Sequence, residues 1–175
     1  MDKRESRKKY IAYGSNLNLH QMARRCPTAK VVGKGEIVDY ELLFRGGRSS
    51  SVATVEAKKG AGVPVLIWEI GEADEKRLDS YEGYPRLYRK EDLVVETGNG
   101  RESIMAYVMN QNYEIGTPSN GYLETIRKGY VDAGFDEKRL EESVAHCKKL
   151  MEYDYSAEEW ADMEESVWRQ QQPQC

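Results

Sequence analysis

The chain has no apolar run approaching the ~20 residues that a membrane-spanning helix requires, and histidine, phenylalanine and cysteine are scarce, with two, two and three in 175 residues. Two histidines and three scattered cysteines (Cys26, Cys147, Cys175) offer no convincing metal-ligand spacing. An odd, widely spaced cysteine set also excludes a disulfide framework and predicts reduced thiols in a cytoplasmic protein. No basic excess is present: the formal net charge is -4, and both signs are mixed along the chain, which argues against a nucleic-acid binder. The charged start "MDKRESRKK" is followed by no apolar segment of signal-peptide length, so export is not expected. A serine nucleophile elbow, a P-loop and a dinucleotide fingerprint are all missing. Neither a repeat nor a long linker divides the chain, and 175 residues suit a single domain spanning 1–175.

Against these absences stand twelve tyrosines and a strong alternation of patterns. Residues 8–13 read as a buried strand, and "NLHQMARRC" reads as a short helix with Asn18 and Gln21 at capping-box spacing. From Ala29 to Ile70, four β-rich stretches ("AKVVGKGEIV", "YELLFR", "SVATVEA", "VPVLIWEI") include two turn-like breaks, "GGRSS" and "KKGAG". The stretch "ADEKRLDSYEG" is helical and ends at a glycine. Two strands follow around "TGNGR", and "SIMAYVM", apolar on both faces, reads as a central one. After Pro118 come helices capped by Ser119 or Asn120 and by Asp136, then a last amphipathic stretch. There Trp160 and Trp168 share a face and are expected to pack on their own chain. The pattern predicts an α+β fold: a mixed, mostly antiparallel sheet, curled or barrel-like, flanked by helices.

Three constellations can carry chemistry. In "YIAYGSN", Gly14 permits backbone angles closed to other residues, and Ser15, Asn16 and Asn18 stand at the start of a helix. The free N–H groups of such a turn suit an anion; a capped strand-to-helix turn is the plainer reading. In "LDSYEGYPRLYRK", Leu78 and Glu82 share a helix face, and Leu78 and Tyr81 read as core-facing. That draws Glu82 toward apolar surroundings at the negative end of the helix dipole. Desolvation and dipole both raise a carboxyl pKa, as a general base working near neutrality requires; an exposed last-turn glutamate, as expected for Glu72 and Glu75, is the alternative. Tyr88, Tyr107 and Tyr122 fall on segments able to converge on a pocket, or else pack in the core. The pairs "RRC" and "RKK" read as solvated charge, and Cys26 as helix-end packing.

Together, "YIAYGSNL", "VLIWEI", "LDSYEGYPRLYRK", "SIMAYVM" and "SNGYLETIRKGY" resemble the γ-glutamylcyclotransferase-like family over residues 8–130. The stretch "GYPRLYRK" is more aromatic and basic than in vertebrate members and looks closer to small bacterial ones. The resemblance implies a small β-barrel flanked by helices, with residues 136–170 as a helical extension outside the functional core. It further implies that Tyr13, Gly14, Ser15, Asn16 and Leu17 hold the substrate's glutamyl end. Glu82 is the implied catalytic residue and Tyr88, Tyr107 and Tyr122 the pocket tyrosines. The activity implied is cyclisation of a γ-glutamyl group to 5-oxoproline, an acyltransferase- or lyase-type reaction without metal or cofactor. A γ-glutamylamine cyclotransferase and a non-catalytic small-molecule binder on the same fold are the alternatives. Monomer and homodimer both stay open, and "GGRSS" and Arg86 are candidates for the outer pocket wall.

Overall fold

The computed structural model describes residues 5–170, with side chains to residue 153. Five strands, β1 (Lys8–Ala12), β2 (Lys30–Gly46), β3 (Ser51–Ile70), β4 (Tyr88–Thr97) and β5 (Gly100–Met109), close into a barrel in the order β1-β3-β2-β4-β5. Every neighbouring pair is antiparallel except β1 with β5, whose parallel pairing of Tyr10 with Met105 completes the closure. Four helices flank it: α1 (Leu19–Arg25), α2 (Glu72–Tyr81), α3 (Asn120–Ala133) and α4 (Glu137–Gln170). The expected helical-flanked, mostly antiparallel barrel is thus the fold.

Two of the expected strand breaks resolve differently. "GGRSS" does turn the chain from β2 into β3, whereas "KKGAG" lies inside β3. Val38 pairs with Gly62 and Tyr40 with Ala57, so residues 58–61 bulge out opposite Asp39 alone. The Asp39 carboxylate accepts the Gly60 N–H at 2.8 Å, and both residues have positive φ, 60° and 83°. A glycine adopts that conformation without a steric penalty, so one glycine-bearing segment can serve as a bulge as readily as a hairpin turn. The four predicted β stretches are therefore two long strands, β2 and β3, paired with each other along most of their length. The two predicted C-terminal helices likewise merge into the single α4; the side chains of Trp160 and Trp168 lie outside the described residues.

The core follows the alternation in the sequence. Ile11, Ile37, Phe44, Val55, Val65 and Val95, one or more from four of the strands, are fully buried. Ile104 to Met109 are buried on both faces of β5, as its unbroken apolar run predicts. Among the described residues no helix is long and apolar enough to cross a membrane.

Candidate active site

The chain leaves β1 at Ala12, turns at Tyr13 and Gly14, and enters a 3-10 turn over Ser15–Leu17 before α1. Gly14 has a negative φ (-120°), so the reason for glycine here is space: a Cβ would come within 3.1 Å of the Ala53 Cβ on β3. The turn is pinned from three sides. Trp68 Nε1 donates to the Asn16 carbonyl at 3.2 Å, and Asn18 Nδ2 donates to the Thr125 carbonyl of α3 at 3.1 Å. On α3, Gly129 allows the closest approach, since a Cβ there would stand 2.5 Å from Leu17 Cβ and 2.7 Å from the Leu17 carbonyl carbon. Asn18 caps α1 by accepting the Gln21 N–H at 3.0 Å. Gln21 does not return the bond as a full capping box requires, because its carbonyl is taken by Arg25 Nη2 at 2.6 Å. Thus held, Ser15 and Asn16 keep backbone N–H groups with no acceptor among the described residues, the ordinary condition of a helix's first turn.

Opposite this turn α2 ends. Its side chain Leu78 is fully buried, but Tyr81 is exposed rather than core-facing. The reason lies in a partner invisible to helix periodicity: the Arg25 guanidinium sits over the Tyr81 ring at 3.4 Å, an arrangement that attracts a cation to the ring face. Glu82 follows as the C-cap, its N–H on the Leu78 carbonyl at 2.8 Å. Its carboxylate Oε1 accepts from Asn16 Nδ2 at 3.2 Å, which couples the end of α2 to the Gly-Ser-Asn turn. Burial pushes the Glu82 pKa up to about 7, against the smaller opposing pulls of the Arg25 charge and the Asn16 hydrogen bond. A carboxyl so placed exchanges a proton near neutral pH.

Between turn and carboxylate lies a cavity of about 180 Å³. Tyr10, Tyr13, Tyr81, Tyr88, Tyr107 and Tyr122 wall it, with Gly14, Ser15, Asn16, Glu82, Ile11, Val52, Ala53 and Leu87. All the expected site residues except Leu17 border it. Leu17 is fully buried, packed where α3 comes closest, and anchors the turn from behind. The outer wall comes from Val52, Ala53 and Leu87 instead of "GGRSS" or Arg86. Volume matters here: pockets for drug-sized ligands run to roughly 300–1,000 Å³, so this one admits a group of amino-acid size.

A phenol owns one proton, and the pocket tyrosines divide by where it goes. Tyr13 donates to the Tyr107 carbonyl, Tyr88 to the Ala53 carbonyl at 2.6 Å, and Tyr107 to Asp79 Oδ1 on α2. These three can only accept from a ligand. Tyr10 and Tyr122 instead accept, from Asn16 Nδ2 at 2.9 Å and from the Ala53 N–H at 3.0 Å, and their protons are spent on no acceptor among the described residues. Burial raises the pKa of all five, so each stays a neutral phenol at physiological pH.

Elsewhere, Cys26 closes α1 as a buried thiol, raised to about 11 by burial. Among the described residues no cluster of three histidine, cysteine, aspartate or glutamate side chains is arranged to hold a metal. Sequence reading missed Tyr10, Tyr81 and Arg25 as parts of this site. The four-residue spacing of Gln21 and Arg25 on one helix face was the available signal that Arg25 is held rather than solvated.

A closed five-strand barrel with a phenol-walled, amino-acid-sized pocket around one carboxyl defines the class of fold to which known proteins can be compared. The family model described as gamma-glutamyl cyclotransferase, AIG2-like, matches residues 10–129, and the chain belongs to that family. The gamma-glutamylcyclotransferase of Bos taurus is 29% identical over 133 residues, 71% of each chain. That of Mus musculus is 28% identical over 144 residues, 78% of this chain and 77% of its own. A solved structure of a gamma-glutamyl cyclotransferase superposes with a TM-score of 0.71 at 26% identity, covering 79% of this chain and 86% of that one. YkqA from Bacillus subtilis, at 19% identity and a TM-score of 0.67, covers 83% of this chain and 56% of its own and shares the fold alone. The family match ends within α3, so α4 lies beyond it.

Proposed function

We propose that this chain is a γ-glutamyl cyclotransferase in which Glu82 is the general acid and base. The observation that carries the reading is a half-buried carboxyl, titrating at about 7, that shares one small cavity with the unspent N–H groups of Ser15 and Asn16. The turn, from Tyr13 to Asn16, takes the α-carboxylate of a γ-glutamyl group, with Leu17 holding the turn in place. The α-amine then lies toward Glu82.

At neutral pH that amine is an ammonium ion and cannot attack. Ionised Glu82 removes one proton; the nitrogen lone pair adds to the γ-carbonyl carbon and closes a five-membered ring. Tyr10 and Tyr122, whose protons are unspent, donate to the carbonyl oxygen as it gains negative charge, a term often worth several kcal/mol. Collapse breaks the γ-amide C–N bond as Glu82 gives its proton to the departing nitrogen. Ionised again, Glu82 takes the second proton from the ring nitrogen and passes it to the freed amine, which leaves as an ammonium ion. The products are 5-oxoproline and a free amine. Attack is intramolecular, so holding the reactive rotamer supplies much of the acceleration, which is the task of walls made from Tyr13, Tyr88 and Tyr107.

The cavity's size leaves the departing amine at its mouth. Discrimination between γ-glutamyl-amino acids and γ-glutamylamines then rests on the rim. The test is 5-oxoproline release from a panel of both classes, with Glu82→Gln alongside. Turnover lost in the variant supports the assignment and ranks the leaving groups. A folded wild-type protein that binds but turns over neither class would instead be a binder on this scaffold.

A further inference from the structure

Arg25 looks on paper like one of two arginines on a solvated helix end. Its surroundings are those of a fixed residue. Nη1 donates to Asn16 Oδ1 at 2.5 Å and to Ser15 Oγ at 3.4 Å, Nη2 donates to Gln21 Oε1 at 2.6 Å, and the guanidinium carbon lies over the Tyr81 ring, 3.4 Å from its centroid. Four neighbours, two from the turn, one from α1 and the last residue of α2, thus hold one side chain.

The hydrogen-bond chemistry of these groups allows one arrangement of the Asn16 amide. A guanidinium carries donors only, so the amide oxygen faces Arg25 and the amide nitrogen is left to face Glu82, whose ionised form only accepts. The nitrogen's two hydrogens are then both used, one on Glu82 Oε1 at 3.2 Å and one on the Tyr10 hydroxyl at 2.9 Å. That second bond makes Tyr10 an acceptor and leaves its own proton for the cavity. Without Arg25 the amide oxygen loses its strongest partner and Asn16 is free to turn. The Tyr10 hydroxyl can then satisfy itself by donating to Asn16, and Glu82 loses its orienting bond.

We propose that Arg25 is a positioning residue: by holding the Asn16 amide in one orientation it aims both the Glu82 carboxylate and the Tyr10 hydroxyl into the cavity. The inference rests on the cyclotransferase reading for what that aim accomplishes, but the positioning itself is a property of the folded protein. Lysine cannot replace it, because an ammonium is a point donor that lacks the guanidinium fork needed to span Asn16 and Gln21 from over the Tyr81 ring.

A second consequence is electrostatic. The ionisable groups that face the Glu82 carboxyl are Arg25 from α1, Tyr10 from β1, Tyr13 from the turn after it, Tyr88 from β4 and Tyr122 from α3. The phenols stay neutral, which leaves the Arg25 charge, and after it the Asn16 hydrogen bond, to favour ionised Glu82 against its burial. Charge and fork geometry are therefore separable by mutation.

The experiment titrates Glu82 directly, by carbon-13 NMR of glutamate carboxyls assigned with Glu82→Gln, in wild type, Arg25→Lys and Arg25→Ala. kcat and KM for 5-oxoproline release are measured across pH on the same samples. In Arg25→Ala the Glu82 midpoint rises by about one pH unit, the acid limb of kcat rises with it, and kcat falls roughly tenfold at its plateau as aim is lost. Arg25→Lys keeps the midpoint near that of wild type yet shows the same fall in plateau kcat, with KM changed less than about threefold. An Arg25→Lys enzyme with full kcat overturns the positioning role, and so does an Arg25→Ala midpoint equal to wild type. If wild type releases no 5-oxoproline while the Glu82 midpoint still moves in Arg25→Ala, the cyclotransferase reading falls and the coupling of Arg25 to Glu82 stands.

Discussion

Helix α2 carries a carboxylate at each end, Glu75 in its first turn and Glu82 at its C-cap, and the two have opposite fates. Glu75 sits where the helix dipole favours negative charge, and Lys8 and Lys90 both reach it, Lys90 at 2.8 Å. Burial pushes its pKa up, but the two lysines outweigh that and the net result is below the ordinary carboxylate value. Glu82 occupies the disfavoured end of the dipole, faces phenols, and has one amide and one more distant guanidinium to offset its burial, so its pKa rises to about 7. The difference is not chemical identity or helix membership. It is the number of cations within reach and the amount of water removed, and the fold sets both by ending α2 against the β1 turn. Asp79 lies between the two and touches both worlds, accepting Lys90 at 2.8 Å and the Tyr107 hydroxyl of the pocket wall.

The largest effect that separates the two ends is on turnover. On the proposed mechanism Glu82→Gln keeps the shape and removes the base, so the expected outcome is a drop in kcat for 5-oxoproline release of roughly 10²- to 10⁴-fold, the range for a positioned general base. Glu75→Gln leaves kcat within about twofold. Equal losses in the two variants would mean that α2 as a whole, and not the pocket carboxyl, sustains activity.

The second effect is on stability and runs against intuition for a functional residue. The folded-state pKa of Glu82 is raised from 4.5 to about 7. The native state therefore holds a proton that the unfolded chain has released, and stability falls as pH rises between those values. A rise of that size corresponds to about 3 kcal/mol. Glu82→Gln should match wild type at pH 4 and exceed it by about 3 kcal/mol at pH 8, read from urea unfolding. A gap independent of pH would show that the carboxyl titrates normally.

Much of this end of the molecule was legible in the sequence, and the exceptions share a cause. Gly-Ser-Asn after a short strand and Glu82 before Gly83 announced themselves because local chemistry, a turn and a helix end, coincides there with the site. Leu78 obeyed helix periodicity and Tyr81 did not, because Arg25 from another helix offered its ring a better partner than the core. Arg25 read as solvated charge for the same reason: its partners Asn16 and Tyr81 are nine and fifty-six residues distant in sequence, and only the closure of the barrel brings them together. The "KKGAG" bulge inside β3 is a further case, since its glycine serves either geometry and the pairing of Asp39 decides. What the chain cannot declare locally is which side chain another element will claim.

The pocket end of α2 also depends on α3, as the Glu75 end does not. Gly129→Ala places a methyl 2.5 Å from Leu17 Cβ and must push the turn away from α3. Overpacking of this kind costs about 1–3 kcal/mol, and the displaced turn carries Asn16 off Glu82. The expected outcome is a lower urea midpoint together with a kcat loss larger than that of a matched alanine substitution at Gly121, where a Cβ meets nothing within 4 Å. A variant with normal kcat would show that the turn tolerates movement and that Asn16 is not aimed from behind.

The smallest effect completes the contrast, because its sign is reversed. With its pKa lowered by Lys8 and Lys90, Glu75 contributes stability that is present above pH 4.5 and is lost as pH falls through the folded-state value. The pair is partly exposed, with Lys8 more open than Lys90, so solvent screens it and about 0.5 kcal/mol is the appropriate scale. Glu75→Gln should then be less stable than wild type at pH 7 by about that amount, and the gap should close toward pH 3 and shrink in high salt. Plotted against pH, the stability differences of the two variants would diverge toward neutrality, one upward and one downward, from a common origin in acid. Curves that ran parallel would mean that the two ends of α2 do not differ in the way their surroundings require.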